Sequence, residues 1–308
     1  MVGQKWPSEM RTYQDQKTGN TVTQLTNRYL NFHFYFTDNS FTQDDQELYF
    51  LSNRGNPETD VINLYHMDLR TGEMEQLTDD PEGIEISRCT KSRDGKLIAY
   101  ITGKDIYMYH TDTKQKELLY RDEQFVPSHV FFNCDMTKLG FDRNEVLAEE
   151  FKDNAKNYSG FKERMFSVKD GRVCCMNLDG SDFRDVFCDT HWVSHFQYSP
   201  DDPKIAMFCH EGPWNYVQQR IWLINMETGE KWPCFRQEEE DCVGHEFWSE
   251  SGDIVFDNRR GGHDGTVTST KDQVYAIESL MKETPWFGFA HKDGKVYRKV
   301  EMPYYCNH

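Results

Sequence analysis

Two histidine–glutamate pairs, His210-Glu211 and His245-Glu246, stand on either side of Arg220 in the stretch 208–248. Each pair touches an apolar run of strand type, residues 205–208 before the first and Phe247-Trp248 after the second. Strand ends are where a rigid scaffold presents polar side chains to a ligand. An imidazole is largely unprotonated at pH 7 and can take a proton, and a guanidinium can hold a carboxylate bidentately. The competing reading is structural, with satisfied strand histidines and an inter-strand ion pair at Arg220. Glu246 follows His245 directly and, on a strand, points to the opposite face, so it is not assigned to orient that imidazole.

The chain that must position these residues has 308 residues, 37% of them hydrophobic and 14% aromatic, enough for a substantial core. A mean hydropathy of −0.82 indicates many polar turns. The net charge of −17 argues against nucleic acid and against an anionic membrane surface as partners. An acidic substrate then needs a local cationic site or a metal. Nine cysteines without zinc-type spacing read as buried free thiols in a reducing compartment. No apolar leader opens the sequence and no run approaches the length of a membrane span, so the expected location is the cytoplasm.

One pattern recurs along the chain: an Asp/Gly turn, an alternating strand, a second strand, a T-G-E type turn and a closing strand. It covers residues 43–50, 63–69 and 73–78, then 93–101, 105–111 and 116–120, and more loosely 136–141, 172–178 and 183–187. The fourth copy is 201–208, 220–225 and 231–235, and the fifth is 252–258, 273–277 and 295–300. Copies of this spacing and content predict the four-stranded blades of a β-propeller, an all-β fold. The T-V-T-Q-L-T at 21–26 resembles the closing strand E-M-E-Q-L-T at 73–78 and is expected to be an orphan outer strand. With about five complete blades, the expectation is a single propeller domain over 1–308 that is incomplete at its C-terminus. Residues 144–169 carry helix formers and predict a short helical insertion in the third blade.

The C-H-E-G-P at 209–213, the R-I-W-L-I-N at 220–225 and the H-E-F-W at 245–248 resemble the oligogalacturonate lyases, pectin-degrading enzymes built on a seven-bladed propeller. The Y-Q-D-x-x-T-G at 13–19, F-T-Q-D at 41–44 and D-T-x-W at 189–192 also fit. The resemblance implies metal-assisted β-elimination of short galacturonides inside the cell, with His245 as the base and Arg220 near the scissile bond. It implies manganese, or another divalent metal, of whose protein ligands only His308 has a match here. His195 and His210 are then candidate sugar or carboxylate ligands, or structural histidines. Arg259, in the basic loop Arg259-Arg260-Gly261-Gly262, is a candidate carboxylate ligand or part of a solvated turn. A second reading is a non-catalytic binding module like the TolB-type propellers, which share the T-G-E and Q-L-T turns.

Overall fold

Among the described residues a Ser or Thr hydroxyl repeatedly bonds to an Asp two positions away, just ahead of a strand. Such pairs include Thr42 with Asp44, Ser92 with Asp94, Ser199 with Asp201, Ser251 with Asp253 and, in reversed order, Thr137 with Asp135 and Ser181 with Asp179, at 2.6–3.0 Å. Such local bonds favour a turn over continued strand and so punctuate the repeat. The T-G-E turns work in the same way. The Asp68 carboxylate accepts from the Arg70 and Thr71 amides, the Asn225 side chain accepts from the Glu227 and Thr228 amides, and Gly72 and Gly229 take the left-handed conformation (φ 75° in both) that closes each turn.

The computed structural model describes residues 1–148, 160–213, 216–239, 241–259 and 284–302. The chain divides into two compact units, Met1–Arg121 and Asp122–His308. In the first unit, β1 (Lys5–Trp6), β4 (Asn31–Phe32), β5 (Glu47–Ser52), β6 (Asn63–Asp68) and β7 (Met74–Gln76) form one antiparallel sheet in the order β1-β7-β6-β5-β4. Strands β2 (Arg11–Gln14) and β3 (Thr21–Gln24) pair as a separate hairpin. Strands β8 (Cys89–Lys91), β9 (Leu97–Thr102), β10 (Asp105–His110) and β11 (Gln115–Arg121) form a four-stranded meander. Leu51 and Leu64 of the first sheet pack with Ile98, Tyr100 and Tyr109 of the meander in one core.

The second unit holds three four-stranded meanders. They are β12 (Phe125–Phe132), β13 (Lys138–Glu145), β14 (Gly171–Asn177) and β15 (Arg184–Asp189); β16 (Val193–Tyr198), β17 (Ile205–His210), β18 (Ile221–Asn225) and β19 (Lys231–Pro233); and β20 (Val243–Trp248), β21 (Ile254–Asn258), β22 (Trp286–Ala290) and β23 (Val296–Glu301). The middle meander is buried on both faces. Ala206 and Phe208 pack with Val173 and Cys175, while Met207 packs with Val243, Ile254 and Phe256. That is why β17 reads as an almost continuous apolar run. Five blade-type sheets are therefore present among the described residues, as the repeat predicts.

Three expectations change. Residues 21–24 are not an orphan strand, because their backbone is taken by β2, and it is β1 that adds to the edge of β7. The predicted segment 273–277 lies outside the described residues; the third strand of the last sheet is β22, whose apolar W-F-G-F-A sequence buries alternate residues. Of the insertion 144–169, Asn144 and Glu145 belong to β13, the described helix is α1 (Phe161–Ser167) alone, and 149–159 lie outside the described residues. Cys89, Cys174, Cys175, Cys209, Cys234 and Cys242 are buried free thiols, as expected, whereas Cys134 is partly exposed and Cys188 exposed. Among the described residues no helix is long and apolar enough to cross a membrane.

Gly140 on β13 lies tight against the fourth sheet, since a Cβ there would collide with the rings of Phe196 and Tyr198. Gly140→Ala is expected to destabilise the fold by about 1–3 kcal/mol through overpacking. Urea denaturation should show a lower midpoint at an unchanged slope; an unaltered midpoint would contradict this packing.

Candidate functional site

Each meander of the second unit places a histidine at a bulge on its first strand. The register slips by one residue between Pro127 and His129, between Ser194 and Gln197, and between Gly244 and Phe247. A bulge re-aims side chains that regular pairing would alternate. His195 and His245 take positive φ (54° and 52°), a conformation uncommon for a residue with a Cβ and concentrated at functional sites. The His245 Nδ1 lies 2.9 Å from Asp257 Oδ2 on the neighbouring β21, with Asp257 buried and Arg259 Nε 3.4 Å from the same oxygen. Donation of Nδ1–H to a buried carboxylate selects the tautomer whose lone pair is on Nε2, the form a base requires. His129 repeats the arrangement, with Nδ1 3.0 Å from Asp142 Oδ1 on β13.

His195 differs because the matching position on β17 is Cys209, which cannot supply a carboxylate. Its Nε2 lies instead 3.0 Å from Glu211, and its Nδ1 3.7 Å from Glu246. Its ring stacks on His129 with centroids 4.9 Å apart. The same two glutamates grip Arg220, whose Nη1 donates to Glu211 Oε1 at 2.8 Å and whose Nε donates to Glu246 Oε2 at 2.9 Å. Burial alone would raise both carboxyls, but the Arg220 charge, with His195, holds them well below the usual range. The expected bidentate grip of Arg220 on a substrate carboxylate is therefore corrected: the guanidinium is 5% exposed and is committed to two protein carboxylates. Arg259 likewise is no part of a solvated turn, being fully buried beside Asp257, and Arg260 lies outside the described residues.

His210 is brought to a different place, a cavity of about 510 Å³ whose lining includes Asp189, His191, Trp222, Lys231 and, from α1, Met165 and Phe166. Its Nε2 lies 3.1 Å from Asp189 Oδ2, and Lys231 Nζ lies 2.9 Å from the same oxygen. Burial would raise the Asp189 carboxyl, yet hydrogen bonds from His210, His191 and Lys231 hold it well below its ordinary range. Glu211 also lines this cavity, so one residue borders both the cavity and the Arg220 cluster.

Two groups among the described residues have metal-ligand character: Asp189, His191 and His210, and His195, Cys209 and Glu211. The second suits manganese poorly. Burial pushes the Cys209 thiol far up, which keeps it protonated, and Glu211 is tied to Arg220. His308, the manganese ligand implied by resemblance, lies outside the described residues.

The sequence reading missed His129, Asp142, Asp257 and the double role of Glu211 and Glu246. A signal for the first three exists. Ser-His, Ser-His and Gly-His at 128–129, 194–195 and 244–245 are each followed one strand later by Phe-Asp, Phe-Cys and Phe-Asp at 141–142, 208–209 and 256–257.

The family model described as "Oligogalacturonate lyase" matches residues 1–285. The chain is 26% identical over 258 residues to an oligogalacturonide lyase of Pectobacterium atrosepticum, and 27% identical over 259 residues to an oligogalacturonate lyase of Dickeya dadantii. Each match covers 82% of this chain and 64% of the relative, so the chain spans somewhat under two thirds of those proteins. A solved oligogalacturonate lyase in complex with manganese superposes with a TM-score of 0.81 at 23% identity, over 100% of this chain and 76% of that one. TolB from Acinetobacter baumannii gives 0.52 at 14% identity, over 97% and 61%. These likenesses establish the β-propeller fold.

The buried charges set a pH dependence. Burial opposes protonation of His195, but the Glu211 hydrogen bond and the charges of Glu246 and Glu211 outweigh it, so its pKa is raised from 6.5. Its stabilising contribution is then complete below about pH 6.5 and is lost as pH rises through the folded-state value. Glu211 and Glu246, lowered from 4.5, contribute above about pH 4.5 and lose that contribution as pH falls. Urea midpoints measured across this range should fall on both sides, and His195→Gln should remove the alkaline arm. An alkaline arm that survives that substitution would assign it to another group.

Proposed function

The chain belongs to the oligogalacturonate lyase family, and from that membership and the His245–Asp257 geometry we propose that it cleaves short galacturonides by β-elimination, with His245 as the Brønsted base. The observation that carries the reading is a histidine held at a strained bulge by a buried carboxylate 2.9 Å away. Elimination removes the proton on C5, alpha to the uronate carboxylate, and expels the oxygen on C4. The base must be unprotonated and fixed in tautomer, and Asp257 supplies the second by holding Nδ1–H so that the lone pair is carried on Nε2. Asp257 is thus a positioning residue in the manner of the carboxylate in a hydrolase triad.

Arg220 contributes at one remove. Its charge fixes Glu211 and Glu246, and through them the orientation of His195, which stands between the two carboxylates. His210, which lines the cavity, would contact a sugar hydroxyl or carboxylate in this reading. A divalent metal, manganese in the solved relative, would when bound stabilise the enolate-like charge that develops on the uronate carboxylate. The substrate class and an intracellular site of action are inferred from the family.

The test is a turnover assay with di- and trigalacturonate, following the ultraviolet absorbance of the conjugated unsaturated uronate. His245→Ala is expected to lower kcat by about 10²- to 10⁴-fold with thermal unfolding unchanged. Asp257→Asn should lower kcat while leaving KM nearly constant, because it disturbs the tautomer and not the binding surface. A wild-type chain that binds galacturonides and releases them intact would instead be a binding module.

A further inference from the structure

We infer that the cavity beside α1 is a sugar-binding subsite, which holds one pyranose ring by its hydroxyls and its apolar face and not by a carboxylate. That the sugar belongs to a galacturonide rests on the lyase reading; the mode of recognition does not.

The cavity lies at the end of the fourth sheet where the bulge begins. His210, on its wall, pairs with Val193, and Cys209 pairs with Ser194, the residue that leads into His195. Glu211, on the same wall, reaches His195 Nε2 at 3.0 Å and shares Arg220 with Glu246, the neighbour of His245. The cavity thus adjoins the cluster that ends beside His245, as a subsite outside the reacting bond requires. Its volume of about 510 Å³ is that of a small-molecule site.

One side of the cavity is apolar. Helix α1 supplies Met165 and Phe166, and Phe166 meets Tyr216 edge to face with ring centroids 5.6 Å apart. Phe166 is 51% exposed and Tyr216 41%, so two large rings stand open to solvent at one place. Exposed aromatics at a cavity offer a surface for the C–H face of a sugar.

The other side is polar and already neutralised. Asp189 Oδ1 accepts from the Thr190 amide at 2.7 Å and lies 2.7 Å from His191 Nδ1, while Oδ2 lies 3.1 Å from His210 Nε2 and 2.9 Å from Lys231 Nζ. The bond to Asp189 uses one of the three N–H donors of Lys231. Burial lowers the His210 pKa from 6.5, so its ring is neutral at pH 7, and with Nε2–H on Asp189 its Nδ1 is an acceptor. Gln218, exposed on the same wall, offers both a donor and an acceptor. Charge decides between hydroxyl and carboxylate. Asp189 and Glu211 both border the cavity, Lys231 is paired with the first, and Arg220 is divided between Glu211 and Glu246. Among the described lining residues this leaves no lysine or arginine in excess for a uronate, whereas a hydroxyl can both donate and accept.

The experiment adds methyl α-galactopyranoside or galacturonate to the full chain and follows imidazole proton resonances, with the His191 and His210 signals assigned from His191→Asn and His210→Asn spectra. Both sugars are expected to shift both signals over comparable concentrations. Lys231→Met should weaken binding about 10-fold or more. Gln218→Ala, at an exposed position where folding is not at stake, should weaken it about 2- to 10-fold. Shifts caused by galacturonate alone would overturn the inference by assigning recognition to the carboxylate. Shifts with neither sugar, or Gln218→Ala binding as tightly as wild type, would overturn it as well. Neither sugar carries a bond to eliminate, so the outcome is separate from turnover. Cleavage of galacturonides without cavity binding would sink this inference and leave the lyase reading, and cavity binding in a chain that cleaves nothing would do the reverse.

Discussion

A guanidinium buried between two carboxylates organises the second unit. Arg220 leads into β18, Glu211 follows β17 in the same meander, and Glu246 lies on β20 of the next. Taking a charge out of water among the apolar strands that surround it costs several kcal/mol unless it is paired and hydrogen-bonded. Here both glutamates meet that need, and each must therefore sit where Arg220 can reach it. The consequence passes on to His195, which stands between the same glutamates, and to β20, where Glu246 adjoins the bulge that carries His245. One buried charge thereby ties two sheets and two histidines into a single geometry.

The unit uses one local device three times. A bulge on the first strand of a meander turns a histidine out of the regular alternation, and a residue on the second strand receives it. In two sheets that residue is aspartate, within hydrogen-bond distance of the imidazole Nδ1, and at His129 that nitrogen also receives the His195 amide. In the middle sheet it is Cys209, and the carboxylate role moves to Glu211 and Glu246, which bring Arg220 with them. The substitution of a thiol for a carboxylate at one repeat position thus accompanies a change from a histidine–aspartate pair to a cluster of one histidine, two glutamates and an arginine.

Turn chemistry and alternation made the blade repeat legible, because Ser/Thr–Asp turns and T-G-E turns are local and leave a direct trace in the residues. The strands 47–52, 63–68, 97–102, 105–110 and 205–210 fall within or beside the stretches that pattern picks out. The N-terminal strand was misplaced because its likeness to a closing strand says nothing about which backbone edge stands open to it. The last sheet was misread because two segments there could supply a third strand, and only packing against Phe256 and Phe235 selects Trp286–Ala290.

For the site, the residue types and the neighbourhood were readable: His245, His195, His210 and Arg220 all stand at strand ends or bulges, as their flanking apolar runs indicate. Their partners were not. Asp257 is 12 residues from His245, Glu246 is 26 from Arg220, and Asp189 is 21 from His210. Alternation along a strand says which face a side chain takes, whereas a bulge breaks that rule at the positions that matter. The sequence by itself determined the repeating all-β architecture and the inventory of chemical groups, because both follow from local propensity and composition. Which carboxylate meets which imidazole, and whether Arg220 faces a ligand or two glutamates, was decided by the tertiary structure, since those choices depend on sheet register and on the need to neutralise charge wherever the packing buries it.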